Sequence, residues 1–347
     1  MEIERIKNMA TTLKIAKRAA VPRAGGFVPQ PPTKFGRIPL AETGEIVGTG
    51  WVPDFPDLRD YKEDSPEVAK IAEKLRITKV KNLAGPLKGR LPAKVDLRPW
   101  CSEIANQGEL GSCTAHAGVG IIEYFENRAF GKHLNGSRLF VYKTTRELLG
   151  WEGDKGAYLR TTMAALRYFG VPPEQYWPYT TLTQSGRDGH RTFDAEPTTF
   201  VYEMAEDYEA KNYFCHDPYG RTNDPNVVLN SVKAWLAAGF PSMFGFYVFP
   251  SFNRGDVKGS IPFPVAGERA IGGHAIDAVG YDDNLKIKNL VSNTDTTGAF
   301  LIRNSWGTAW GDNGYGWLPY DYVKAQFASD FWTLTGMDWV DSGEFGL

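Results

Sequence analysis

Apolar and polar positions divide the 347-residue chain into zones of different texture. Residues 20–60 carry Pro22, Pro29, Pro31, Pro32, Pro39, Pro53 and Pro56 among scattered glycines. Proline fixes φ and removes a donor, so this stretch is excluded from a helix or a central strand and reads as extended chain. Ser65-Pro66-Glu67 then offers an N-cap, a first-turn proline and an early acid. Val68, Ile71, Ala72 and Leu75 follow at helical spacing, which predicts a short amphipathic helix. Gly85-Pro86 and Gly89 mark a linker, and from about Leu91 the apolar pattern becomes denser. There it predicts helices over 112–129 (Ile121, Ile122 and Phe125 on one face), 158–169 and 227–238. Gly170 and Gly239 stand where C-terminal caps belong. Further on, residues 243–249, 274–281 and 299–303 read as short strands rich in β-formers. A helical half followed by a β-rich half predicts an α+β protein.

Composition narrows the function classes. Hydrophobic residues make up 42% and charged residues 23%, enough for a sizeable core, which excludes global disorder. Lys+Arg of 39 against Asp+Glu of 41 gives a net charge of -2. No basic excess exists to grip a phosphate backbone, so nucleic acid is not expected as a partner. The most apolar run, 240–249, is broken by Pro241, Ser242 and Gly245 and reads as a buried strand. No stretch approaches the ~18 apolar residues of a membrane span. The three cysteines, Cys101, Cys113 and Cys215, exclude a disulfide scaffold and leave an odd thiol. The N-terminus is mildly basic (Arg5, Lys7, Lys14, Lys17, Arg18, Arg23) but lacks the apolar core of a secretory signal. A cytoplasmic or other reducing compartment is therefore the expectation.

The sharpest local feature is Asn106-Gln107-Gly108-Glu109-Leu110-Gly111-Ser112-Cys113-Thr114, a Gly-rich turn that delivers a cysteine to the start of a helix. Free backbone N–H groups and the helix dipole there favour an anion, so the thiol is expected to ionise readily. Alone, Cys113 reads equally well as a buried structural thiol. It is followed by Gly272-Gly273-His274 before one predicted strand, then by Asn304-Ser305-Trp306-Gly307 after another. Val95-Asp96-Leu97-Arg98, Gly153-Asp154-Lys155-Gly156-Ala157 and Trp177-Pro178-Tyr179 fall in consistent order between and around them.

With these blocks in place, the chain from about Leu91 onward resembles the papain-like cysteine peptidases. The Gln-Gly-x-Leu-Gly-Ser-Cys-Thr variant is similar to that of a bacterial and viral branch. The resemblance implies two lobes, one helical (about 105–225) and one an antiparallel, barrel-like β-structure (about 226–347), behind an extended leader (1–90). It implies Cys113 as nucleophile, His274 as its base, Asn304 as the group that orients the imidazole, and Gln107 as oxyanion donor. Trp306 would shield the His–Asn bond; Gly156, Ala157 and Gly273 would meet substrate backbone. No metal or other cofactor is implied, and the partner is a peptide or protein substrate. The Cys113-to-His274 and Cys113-to-Asn304 separations exceed the family range, which points to insertions, residues 282–298 among them.

Departures from the pattern matter too. The cysteine usual between Gln107 and the nucleophile is Leu110, and its disulfide partner's position is Asp154, so that bridge is absent. Thr114 stands where an aromatic is usual, and Ala157 replaces a second glycine. His116 reads as a packed histidine, His133 and His190 as solvated ones, and a Cys215–His216 metal pair lacks further ligands. The leader, whose 51–57 segment carries aromatic anchors, either regulates the enzyme from within the cleft, as in a zymogen, or only completes the fold. Two other functions remain open: a thiol acyltransferase or ligase, and a non-enzymatic papain-like component of a larger assembly.

Overall fold

The computed structural model describes residues 36–75, 77, 91–183, 192–220 and 223–340. The 85–89 linker, the basic N-terminus and His190 lie outside the described residues.

Over residues 36–56 the chain lies extended apart from one turn. Strands β1 (Arg37–Pro39) and β2 (Ile46–Gly48) pair as an antiparallel ribbon. Helix α1 (Pro66–Lys74) follows with Pro66 in its first turn, burying Val68 and Ala72. Ser65 takes the N-cap position, but its hydroxyl accepts from the Lys62 N–H at 2.9 Å and leaves the helix end uncapped. Strand β3 (Lys94–Asp96) then joins the main sheet.

Helix α2 (Cys113–Phe130), α3 (Arg138–Leu149) and α4 (Leu159–Tyr168) form the helical part. Helix α2 packs on α3 and α4 on one side and on the sheet on the other. That is why 14 of its residues, polar ones included, are buried and its apolar pattern is weak as a one-face signal. A short helix α5 (Thr199–Glu206) leads to strand β4 (Ala210–Cys215), and α6 (Pro225–Ala237) leads to β5 (Ser242–Val248). Strands β6 (Gly272–Asn289), β7 (Thr294–Arg303), β8 (Tyr315–Pro319) and β9 (Ala328–Met337) complete the sheet, with helix α7 (Tyr320–Lys324) between the last two.

The seven-stranded sheet runs β4-β9-β5-β6-β7-β8, with β3 also on β6, and every pair is antiparallel. It takes its strand β4 from residues 210–215, ahead of the lobe boundary expected near 226. Residues 282–298, expected as an insertion, prolong β6 and β7 into one long hairpin. Gly170 and Gly239 take φ of 69° and 89° just beyond α4 and α6, as their capping role requires. All seven residues of β5 are buried, so it reads as a continuous apolar run. The result is an α+β protein with a helical part and an antiparallel sheet meeting along α2.

Candidate active site

The loop 106–112 ends at α2, whose first residue is Cys113. Ser112 is the N-cap, yet its hydroxyl caps nothing. It lies 2.6 Å from the Tyr179 hydroxyl, which donates to the Gln107 carbonyl at 2.9 Å. Tyr179 thus holds the loop from behind and leaves the helix N–H groups unspent. Asp154 holds it from the other side. Its Oδ1 accepts from the Gly111 N–H at 2.9 Å and from the Tyr142 hydroxyl at 2.6 Å. Hydrogen bonds to a carboxylate here do the tethering that a disulfide between positions 110 and 154 would do. Leu110 itself is buried. The three cysteines are free.

His274 lies on β6 opposite Phe246 of β5. Its Nε2 is 2.8 Å from Oδ1 of Asn304, which directly follows β7. That oxygen also accepts from the Ser305 N–H at 2.8 Å, so it faces the ring as an acceptor and Nε2 carries the proton. Nδ1 is then the basic nitrogen; it is buried and has no hydrogen-bond partner among the described residues. The Trp306 ring stacks on the imidazole at 4.4 Å and 20°, closing the His274–Asn304 bond from water. The backbone N–H of Ala275, the neighbour of His274, faces the Cys113 sulfur. The histidine strand therefore abuts the thiol.

Gln107 is fully buried. Its Oε1 accepts from the Ser305 hydroxyl at 2.6 Å, which turns Nε2 toward the Leu110 carbonyl at 2.7 Å and the Gly48 carbonyl at 3.0 Å. Gly48 belongs to the leader. The segment after it crosses the cleft as added strand. Ala157 N–H donates to Gly50 at 2.8 Å, Val52 N–H to Ala157 at 3.1 Å and Trp51 N–H to Gly273 at 2.9 Å. A Cβ on Gly48 would overlap the backbone of Glu109 and Leu110, and one on Gly50 that of Gly111, so the approach needs glycine. The Gly156 N–H goes to the Tyr142 hydroxyl at 3.1 Å and not to a described residue of the leader. Ala157 keeps an ordinary φ and still offers both backbone groups.

Covering the cleft reverses the expected state of the thiol. Cys113 and His274 are each 0% exposed. Burial pushes the Cys113 thiol up to about 11, against backbone N–H groups that favour the thiolate, and pushes His274 down to about 4. In this state the pair is neutral thiol and neutral imidazole. The readily ionised thiol expected from the helix N-terminus is thus not the state of the covered enzyme, because desolvation outweighs the dipole.

The other sequence candidates fall outside the cleft chemistry. His116 is buried, with Nδ1 3.0 Å from the Ser112 carbonyl. His216 has both ring nitrogens on hydroxyls, Ser231 at 2.6 Å and Thr333 at 2.9 Å, and Cys215 donates to Asp217. No group of three or more metal-ligating side chains is found among the described residues, and none of their helices is long and apolar enough to cross a membrane. Of the leader's aromatic anchors, Trp51 is buried, whereas Phe55 is 66% exposed. The roles of Gly48 and Gly50 had one visible trace, a Gly-Thr-Gly-Trp run; that of Asp330, which meets Trp51, had none.

The family model "Papain family cysteine protease" matches residues 91–331. The peptidase C1-like protein L477 of Acanthamoeba polyphaga mimivirus is 35% identical over 245 residues, covering 69% of this chain and 71% of that protein. Peptidase 1 of Psoroptes ovis is 27% identical over 239 residues, and the match spans only 62% of that relative's length. The crystal structure of xylellain, a cysteine protease from Xylella fastidiosa, superposes with a TM-score of 0.63 at 32% identity, covering 83% of this chain and 96% of that one. This chain belongs to the papain family and is a papain-like cysteine peptidase, a hydrolase of peptide or protein substrates.

Proposed function

We propose that the protein is a self-blocked cysteine endopeptidase, with Cys113, His274 and Asn304 as its triad and the residues up to about 90 as a pro-segment held in the cleft. The observation that carries this reading is the Gly48 carbonyl on Gln107 Nε2, with residues 50–52 hydrogen-bonded across Ala157 and Gly273. The leader here stands in for a substrate. It lies beside Gly311 through Glu42, 2.9 Å from the Gly311 N–H, and continues past the thiol to Arg160, which pairs with Asp60 at 2.7 Å and with Asp54. A cleft that accepts continuous chain on both sides of the thiol suits cleavage of internal bonds.

With the leader withdrawn, water returns to the cleft and the helix N-terminus favours the thiolate. His274 Nδ1 takes the Cys113 proton, and the sulfur attacks the scissile carbonyl carbon. The oxyanion that forms accepts from Gln107 Nε2 and the Cys113 N–H, the former worth about 3–4 kcal/mol in the transition state. Asn304 holds the imidazolium by Nε2–H. The intermediate collapses as Nδ1–H protonates the leaving amine, leaving a thioester on Cys113. Water, deprotonated by His274, attacks the thioester and releases the acid and the thiol. In the covered state burial widens the gap between the acidities of Cys113 and His274, which opposes the first proton transfer.

Alkylation of the full chain, read by intact mass, tests this. Gly50→Leu, which cannot lie against Gly111, is expected to label at Cys113 at neutral pH at least tenfold faster than the native chain and to hydrolyse casein. Equal labelling of the two chains would end the masking role. A folded Gly50→Leu chain that labels fast at Cys113 yet hydrolyses no protein would end the endopeptidase reading.

A further inference from the structure

Helix α3 carries a clamp that no step of the mechanism uses. Tyr142 and Arg146, one turn apart, are both 0% exposed, and the Arg146 guanidinium lies 4.1 Å over the Tyr142 ring. Each takes one end of the turn that leads to Ala157. Arg146 Nη1 donates to the Gly153 carbonyl at 2.8 Å and pairs with Asp194, whose Oδ2 accepts from the Gly153 N–H at 2.8 Å. At the far end the Tyr142 hydroxyl accepts from the Gly156 N–H at 3.1 Å and donates to Asp154 Oδ1 at 2.6 Å. The same Oδ1 accepts from the Gly111 N–H at 2.9 Å, two residues before Cys113. A chain of three hydrogen bonds thus joins the nucleophile's loop to the residue before Ala157 through one phenol on a helix. Burial, then the charge of Asp154, pushes the Tyr142 hydroxyl well above the usual phenol range, so it remains a donor. Gly111 and Gly156 meet backbone to backbone: a Cβ on Gly111 would stand 3.1 Å from Asp154 Oδ1 and 3.4 Å from the Gly156 nitrogen. Side-chain bulk therefore does not set the spacing of the two loops; these hydrogen bonds do.

We propose, on the peptidase reading above, that Asp154 and Tyr142 are positioning residues for hydrolysis: together they fix the nucleophile's loop against the backbone that holds the substrate, Asp154 governing attack and Tyr142 governing binding. The Asp154 bond to Gly111 sets the last turn before Cys113. With that turn go the Cys113 N–H and the Leu110 carbonyl, on which Gln107 Nε2 rests at 2.7 Å. Without the acceptor the two oxyanion donors lose their spacing, and such a displacement costs most in the transition state. The Tyr142 bond to Gly156 sets the residue before Ala157, whose N–H and carbonyl take up chain in the cleft. Its loss weakens ground state and transition state alike, so it falls on KM. The Arg146–Asp194 pair holds the Gly153 end separately, so the turn stays in place when either of the other bonds is cut.

The test places each variant in the full-length Gly50→Leu chain and measures hydrolysis of a fluorogenic peptide, with rates taken per Cys113 titrated by an alkylating inactivator. Unfolded chain is thereby left out of the rate. Asp154→Ala is expected to lower kcat about 30-fold, with KM within about threefold of the parent. Tyr142→Phe, which keeps the ring under Arg146, is expected to raise KM about tenfold, with kcat within about threefold. Asp154→Asn keeps an Oδ1 acceptor for both donors and is expected to hold kcat within about threefold of the parent. If Asp154→Ala does not fold, the milder Tyr142→Phe decides the matter. A lowered thermal midpoint with kcat and KM per titrated thiol unchanged is what a merely structural role predicts, and it overturns the positioning role. So does an Asp154→Asn chain as slow as Asp154→Ala, or the same change of both constants in Asp154→Ala and Tyr142→Phe. A parent chain whose Cys113 alkylates but which hydrolyses neither peptide nor casein overturns the peptidase reading, and this one with it.

Discussion

The leader and the peptidase unit behind it are held together by different forces. The unit from residue 91 buries a continuous core, with Trp235, Trp306, Trp332, Tyr281 and Phe300 among its fully enclosed side chains. Among the described residues, the leader's regular structure is two strands of three residues and one nine-residue helix. Its buried apolar side chains, including Ile38, Val47, Trp51 and Val68, join the same hydrophobic cluster as those of the unit. Its grip is otherwise polar. Arg160 takes Asp54 and Asp60; Glu63 accepts from Ser231 at 2.9 Å and Trp235 at 3.3 Å; Gly48–Val52 uses backbone hydrogen bonds. Contacts of this kind can be broken one at a time without opening the core. The difference teaches that a segment can complete an enzyme's surface while held to it by contacts that separate one by one.

The comparison can be broken most severely at the nucleophile. Cys113→Ala should abolish hydrolysis by leader-free enzyme, a fall on the order of 10⁴–10⁶ in kcat, while thermal unfolding changes little. Retained turnover would remove Cys113 from the mechanism. Gln107→Ala should cost about 10²–10³ in kcat. It should also loosen the leader, because the same Nε2 holds Gly48. An unchanged alkylation rate in the full chain would separate the two roles.

Arg160→Ala sharpens the comparison from the leader's side. It leaves the carboxylates of Asp54 and Asp60 without their cation in a site where burial already raises their pKa. Breaking a buried pair costs ~3–5 kcal/mol, and the Arg160 side chain is 21% exposed, so about 2 kcal/mol is expected. That corresponds to about 30-fold faster Cys113 labelling, with the peptidase unit still folded. Loss of the whole fold would show that the leader and the unit unfold as one.

A pH slope is expected in the unit itself. Burial alone lowers His216 to about 3, so the folded protein holds it neutral where the unfolded chain protonates it. Its contribution is complete above the unfolded value near 6.5 and is lost as pH falls toward about 3. His216→Gln should flatten the stability curve across that window by up to about 1.4 kcal/mol per pH unit, at lower stability near neutrality. An unchanged slope would mean that His216 is protonated in the fold.

The family resemblance marked Cys113, His274, Asn304 and Gln107 as candidates, because a cysteine at a helix start, a strand-borne histidine and an Asn-Ser-Trp-Gly turn each leave a local trace. The helices 113–130, 159–168 and 225–237 were legible for a similar reason: apolar spacing, with glycines at two of their ends, is a short-range signal. Nothing local told that Asp154 would take over a disulfide's tether, that Ser65 and Ser112 would turn their hydroxyls away from the helices they precede, or that Asp330 would meet Trp51 across 279 positions. Nor could the helix start reveal that its thiol is held neutral. Ionisation depends on which groups and how much water surround the sulfur, and here those groups include Gly50 of the leader, more than sixty residues upstream. The sequence by itself determined the groups proposed to react and the elements that carry them. Only the tertiary structure decided their protonation state, the cleft beside them and what fills it, since desolvation and long-range contact are properties of assembled surfaces and have no period along the chain.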